Sequence, residues 1–146
     1  LNSLFLIFRC KIILINLNEL KKLNPSKKSV CFYNFTWMKL FFENISQSER
    51  IPVEQPLEAA FEQALDVFEL LPEDDGSSFG LITDRNVVIQ ISKYNRFMWL
   101  VEIPEPEKNG SWQAICNRNR VKRALKELFE EKDPFLVCDF KFESFH

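Results

Sequence analysis

Phe97-Met98-Trp99-Leu100-Val101-Glu102-Ile103 is the stretch on which the fold turns. Glu102 is its one charge, and the apolar residues stand at odd and even positions alike, so both faces of an extended segment are greasy. That is the pattern of a central β-strand covered on each side. Pro104 and Pro106 follow at once and are expected to stop regular ladder bonding, making Glu105 to Gly110 a loop before a short strand over Trp112 to Cys116. Asn117 is a helix cap by residue type. Val121, Ala124, Leu125, Leu128 and Phe129 recur at three- and four-residue spacing, predicting a helix that ends near Lys132, before Pro134. Leu136, Cys138, Phe140 and Phe142 then alternate with Val137, Asp139, Lys141 and Glu143, which predicts a half-buried last strand.

Upstream of the central run, Phe79 to Thr83 and Val87 to Ser92 read as two strands joined tightly through Asp84, Arg85 and Asn86. Before them, Pro56 suits a first helical position, and Leu57, Ala60, Phe61, Ala64, Leu65, Phe68 and Leu71 form an amphipathic stripe ending at Pro72. Ser46 to Gln55 reads as polar linker, and Lys39 to Ile45 as an opening strand. The order is strand, helix, three or four strands, helix, strand. It predicts an α+β fold in two layers, a mostly antiparallel sheet of about five strands with two helices on one face.

The composition changes at Met38. Residues 1–37 lack Ala, Gly, Asp, Gln and His and are built mainly from Leu, Asn, Lys, Ile, Phe and Ser. This is the vocabulary of A/T-rich codons read without selection for a fold. Met38 is therefore expected to be the true start, with 1–37 a non-native or disordered leader and 38–146 a single domain. Leu4 to Leu17 is apolar but is interrupted by Arg9 and Lys11, and it is shorter than the roughly 20 residues that span a bilayer. No small-residue cleavage site follows it, which argues against a signal peptide. A lipid-surface helix flanked by Lys11, Lys21 and Lys22 is the other reading of this segment.

The charge divides at the same place. Of 19 Lys and Arg and 21 Asp and Glu in the chain, six basic residues and Glu19 precede Met38, so residues 38–146 carry 13 basic and 20 acidic residues, a net of −7. An acidic domain repels nucleic acid and anionic membrane and attracts basic proteins. A cytoplasmic protein is expected, with no nucleic-acid or membrane partner.

Chemistry is bounded by what is missing. His146 is the only histidine and the last residue, so neither a Ser-His-Asp nor a Cys-His constellation can be built with it in the sequence interior. Cys116 and Cys138 have no C-x-x-C spacing and no neighbouring His, and reduced buried thiols are expected. The three glycines, Gly76, Gly80 and Gly110, exclude a P-loop and a dinucleotide fingerprint. No catalytic, metal or cofactor site is expected, and the chain is read as a non-enzyme. A small hydrolase using Glu102 is the competing enzymatic reading.

Two charge clusters remain. Arg118, Arg120, Lys122 and Arg123 open the second helix and Glu127, Glu130 and Glu131 close it, against the helix dipole. They read either as an anion-seeking turn or as intrahelical pairs, Arg123 to Glu127 and Lys126 to Glu130. Glu69, Glu73, Asp74 and Asp75 follow the first helix, while Glu102, Glu105 and Glu107 line the exit of the central strand. If both loops lie at one end of the sheet, they form with Trp112 a negative surface for a basic protein. Solvated loops have the same composition.

Trp99 to Phe140 resembles the small α+β immunity proteins of bacterial polymorphic-toxin systems. The likeness rests on an aromatic central strand ending in Glu102, a Pro-containing loop, the helix carrying Val121, Ala124, Leu125 and Phe129, and Pro134 before a closing strand. Lys132 and Asp133 stand where a Gly often occurs between that helix and the last strand. The resemblance implies a non-enzymatic inhibitor that binds a toxin domain; the acidic clusters point to a basic partner, met through Glu73, Asp74, Asp75, Glu102, Glu105, Glu107 and Trp112. An adaptor or structural domain, monomeric or self-associating as a homodimer, is the alternative expectation.

Overall fold

The computed structural model describes residues 36–45, 48–71 and 76–145, within a compact unit that begins at Thr36. The expectations for residues 1–35 and for Glu73, Asp74 and Asp75 lie outside the described residues. The strands are β1 (Met38–Asn44), β2 (Glu49–Ile51), β3 (Leu57–Ala59), β4 (Ser78–Ile82), β5 (Val88–Lys93), β6 (Met98–Glu105), β7 (Gly110–Asn117) and β8 (Lys141–Ser144). Helix α1 (Phe61–Leu70) lies between β3 and β4, and α2 (Arg118–Phe129) between β7 and β8. The fold is α+β with an antiparallel sheet, as expected from the sequence. Among the described residues no helix is long and apolar enough to cross a membrane.

All eight strands join one sheet, ordered β2-β1-β4-β5-β6-β7-β8, with β3 also paired to β1. The expectation of about five strands is thus corrected to eight among the described residues. β4 holds one edge of β1 from Lys39 to Glu43. The other edge is shared, β3 pairing with Met38 to Leu40 and β2 with Phe42 to Asn44. Three-residue strands are too short to display a two-residue period, so 46–55 looks like linker and Leu57 to Ala59 like the first turn of a helix. Helix α1 in fact starts at Phe61, where the Ala60 N–H donates to Gln63 Oε1 at 2.9 Å. Leu57, the first residue of the expected stripe, is 56% exposed.

The hairpin of β4 and β5 forms as expected. Asn86 takes the left-handed backbone region at φ 59°, and its N–H donates to the Thr83 carbonyl at 2.9 Å. Asn tolerates this conformation better than other non-glycine residues. The prolines do not end β6, which pairs with β7 through Pro104↔Ser111 and Glu105↔Gly110. Pro104 stands past Gln90↔Glu102, the last pair with β5, so its missing N–H removes no bond on that side. The turn at Pro106–Lys108 is 3₁₀, and Asn109 at φ 52° leads into β7. The last strand also begins later than its alternation predicts. Pro134–Leu136 is a 3₁₀ turn, Leu136 is exposed, Val137 and Cys138 are buried, and β8 starts at Lys141.

One face of the sheet carries the core. Ile91, Val101 and Ala114 lie in one cross-strand row, and Trp99 and Cys116 in the next row of that face. Helix α1 contributes Ala64 and Phe68, and α2 contributes Val121, Ala124, Leu125, Leu128 and Phe129, to the same buried cluster. The Phe68 ring meets Trp99 edge-on at 4.9 Å, and Phe61 meets Phe129 between the helices at 5.7 Å. Fully burying a side chain such as Phe68 stabilises the fold by roughly 1.5–3 kcal/mol, and the half-buried Phe61 contributes less. Asn117 caps α2 by accepting the Arg120 N–H at 2.8 Å.

Candidate functional site

Successive residues of a strand point to opposite faces. Glu102, between the buried Val101 and Ile103, therefore faces away from the core, in a row that reads Phe41, Gly80, Gln90, Glu102, Gln113, Lys141 across β1, β4, β5, β6, β7 and β8. Phe41 lies over Gly80, where an added Cβ would collide with its ring. That glycine is needed for close approach, since it lets the Phe41 ring bury over the backbone of β4.

The carboxylate of Glu102 is fixed. Ser111 Oγ donates to its Oε1 at 2.8 Å and Gln113 Nε2 at 2.9 Å, while Gln113 Nε2 also reaches Ser111 Oγ at 2.9 Å. Both bonds to the carboxylate arrive at Oε1. Oε2 receives no donor among the described residues. Ser111 is fully buried, so part of the work of Glu102 is to satisfy a hydroxyl that would otherwise be buried without an acceptor. The neighbouring row of this face holds Ser92, Leu100 and Ile115. Ile115 is 49% exposed. A positioned carboxylate thus borders exposed apolar surface.

The other expected site residues lie elsewhere. Glu105 is three residues from Glu102 and so projects from the opposite face. Lys108 Nζ sits 2.7 Å from Glu105 Oε2. The bond from Lys108 holds the Glu105 carboxyl below its usual range, opposed by loss of water and helped by the Trp112 indole. Trp112 packs edge-on against Phe142 at 5.4 Å and Phe135 at 6.0 Å. It joins Glu105 and not Glu102. Glu107 is exposed in the 3₁₀ turn. Ser78, at the start of β4, pairs with Ser92 beside Leu100, near the start of β6, whereas Glu105 closes β6. Gly76 and Glu105 therefore stand at opposite ends of the sheet. Ser111, Gln113, Leu100 and Ile115 are the site residues that sequence reading missed; folding β6 onto β7 about Pro106–Asn109 is the one signal that brings them to Glu102.

The charged turn of α2 resolves into pairs. Glu69 of α1 accepts from Arg118 at 2.7 Å and contacts Lys122. Bonding from Lys122 holds its carboxyl below the ordinary value; burial opposes this and the bond from Arg118 aids it. Arg123 pairs with Glu127 at 3.0 Å and Lys126 with Glu130 at 3.8 Å, the intrahelical pairs expected from spacing. Arg118 also lies over Phe68 and Trp99, at 5.5 and 5.6 Å from their ring centres. Glu69 thus bridges the helices and is taken out of the acidic surface.

Cys116 and Cys138 are both buried, with Sγ atoms 3.5 Å apart. Hydrogen bonding with the Cys138 sulfur brings the Cys116 thiol down to about 7; burial opposes this and the Arg120 guanidinium aids it. Cys138 is pushed up by the same partner and by burial. A recess of about 250 Å³ lined by Met38, Asp84, Arg85, Leu128, Lys132 and Pro134 falls below the ~300 Å³ typical of small-ligand sites.

No protein family, curated protein or solved structure matches this chain.

Proposed function

We propose that this chain is a non-enzymatic protein-binding module, an immunity-type inhibitor of a basic bacterial toxin domain, acting in the cytoplasm. In this reading the two helices form a second layer on one face of the sheet, and the partner takes the other. The observation that carries it is the Glu102 carboxylate, held by Ser111 and Gln113 beside Leu100 and Ile115. A fixed carboxylate loses little freedom on meeting an Arg or Lys, and apolar neighbours exclude water from the pair that forms. The net charge of −7 over residues 38–146 favours encounter with a basic surface. Glu73, Asp74, Asp75, Glu105 and Glu107 serve as the outlying acidic residues that speed this encounter.

The test uses the full chain as bait in lysate of its source organism, washed at low and high salt and read by mass spectrometry. A basic protein should be retained at low salt and released at high salt. Glu102→Lys and Ile115→Glu should each abolish its retention, and co-expression of the chain should relieve the growth arrest that protein causes. Retention unchanged by both substitutions would overturn the site. Recovery of the bait alone, with a dimer in solution, would favour the self-associating adaptor.

A further inference from the structure

We infer that Cys116 and Cys138 form a peroxide-responsive dithiol, which a small hydroperoxide converts to a disulfide tying the end of β7 to the segment before β8. The two sulfurs are 22 residues apart in sequence and 3.5 Å apart in space. A disulfide needs about 2.05 Å between sulfurs, so the gap closes by an approach of side-chain scale. The two residues are placed by different constraints. Cys116 is fixed by its pairing opposite Trp99 in the sheet. Cys138 follows Val137, whose carbonyl accepts from Arg120 Nη2.

The surroundings favour one sulfur as the attacking group. Cys116 lies at the end of β7, immediately before Asn117, the cap of α2. Arg120 and Asp139 are the charges acting on the pair, the first favouring a Cys116 thiolate and the second opposing it. Arg120 Nη1 is buried and lies 3.7 Å from Glu127 Oε2, beyond hydrogen-bonding range. Its charge is therefore only partly answered by that carboxylate. Cys138, kept protonated by the Cys116 sulfur beside it and by burial, is the resolving group.

The step balances without a further reagent. Cys116 thiolate attacks one oxygen of hydrogen peroxide, forming the S–O bond and breaking O–O; the departing hydroxide takes up the proton Cys116 released and leaves as water. Cys138 sulfur then attacks the sulfenic sulfur, the S–S bond forms and S–O breaks, and the leaving hydroxide carries off the Cys138 proton as a second water. Two thiols are oxidised and one peroxide is reduced. The exposures of 6% for Cys116 and 5% for Cys138 select the oxidant by size. Hydrogen peroxide is hardly larger than water, whereas glutathione disulfide must bring a tripeptide to the sulfur.

The test treats the folded full chain with hydrogen peroxide or, separately, with glutathione disulfide. The protein is then denatured, its free thiols are alkylated, and it is mapped by mass spectrometry without reduction. Peroxide should remove two hydrogen masses and produce a linked peptide pair containing Cys116 and Cys138, reversed by dithiothreitol. Glutathione disulfide should add nothing to either residue. Cys138→Ser should trap Cys116 as sulfenic or sulfinic acid, whereas Cys116→Ser should leave Cys138 alkylatable. Full alkylation of both residues after peroxide, linkage of either to Cys10 or Cys31 instead, or glutathione adducts at these sites would overturn the inference. The mapping of the unsubstituted chain decides it even if a serine variant does not fold.

Discussion

The two faces of β6 are made from adjacent residues and do opposite things. On one, Trp99, Val101 and Ile103 vanish into a shared core, and each is held by many neighbours at once. On the other, Leu100 and Glu102 stand among Ser92, Gln113, Ser111 and Ile115, and what order exists there comes from a few hydrogen bonds. The first face supplies stability and the second is free to vary in chemistry. A strand can serve both because its side chains alternate.

The contrast fails if the two faces prove equally costly to disturb. Trp99→Ala removes the ring that contacts Phe68 and should cost about 3–5 kcal/mol in urea unfolding; a loss under about 1 kcal/mol would break the comparison. Gly80→Ala drives the Phe41 ring from its seat on the far face, with an expected loss of about 1–3 kcal/mol by the same measurement. Glu102→Ala leaves the buried Ser111 hydroxyl without that acceptor, for about 1 kcal/mol. Ile115→Ser should change stability by under about 0.5 kcal/mol while weakening partner retention, which would separate the roles of the faces most cleanly.

The smallest effect concerns pH. Glu69 in the folded chain has its carboxyl lowered from the usual 4.5, so its pairs with Lys122 and Arg118 stabilise the protein above pH 4.5. That contribution is lost as pH falls through the lower folded value. Urea midpoints of the wild type and Glu69→Gln should therefore differ near neutrality and converge below pH 4.5. Divergence on acidification would show that Glu69 is not paired in solution.

Long, patterned elements were legible in the chain, and short or register-dependent features were not. The stripe of α2 is buried residue for residue, because five apolar positions at helical spacing leave little choice of face. β2 and β3 escaped notice because three residues fit any period, and they become strands through the vacant edge of β1. The alternation over 136–142 misled because Val137 and Cys138 turn inward together after the 3₁₀ turn at Pro134. Of the candidate site, Glu102 stood out as a charge in an apolar run. Its partners, and the split of Glu102 from Glu105 and Trp112, depend on strand register, which composition does not encode.

The division of β1's outer edge has a consequence for how the molecule meets its own copies. β2 and β3 occupy that border in two pieces of three residues, separated by a segment that includes Pro52 and Pro56. An incoming extended chain finds there no continuous row of free amide and carbonyl groups long enough to template growth. At the opposite border, β8 offers four residues carrying Lys141 and Glu143, and charges on an edge discourage stacking of sheet on sheet edge. A broad antiparallel sheet is thereby kept from becoming the seed of a fibre.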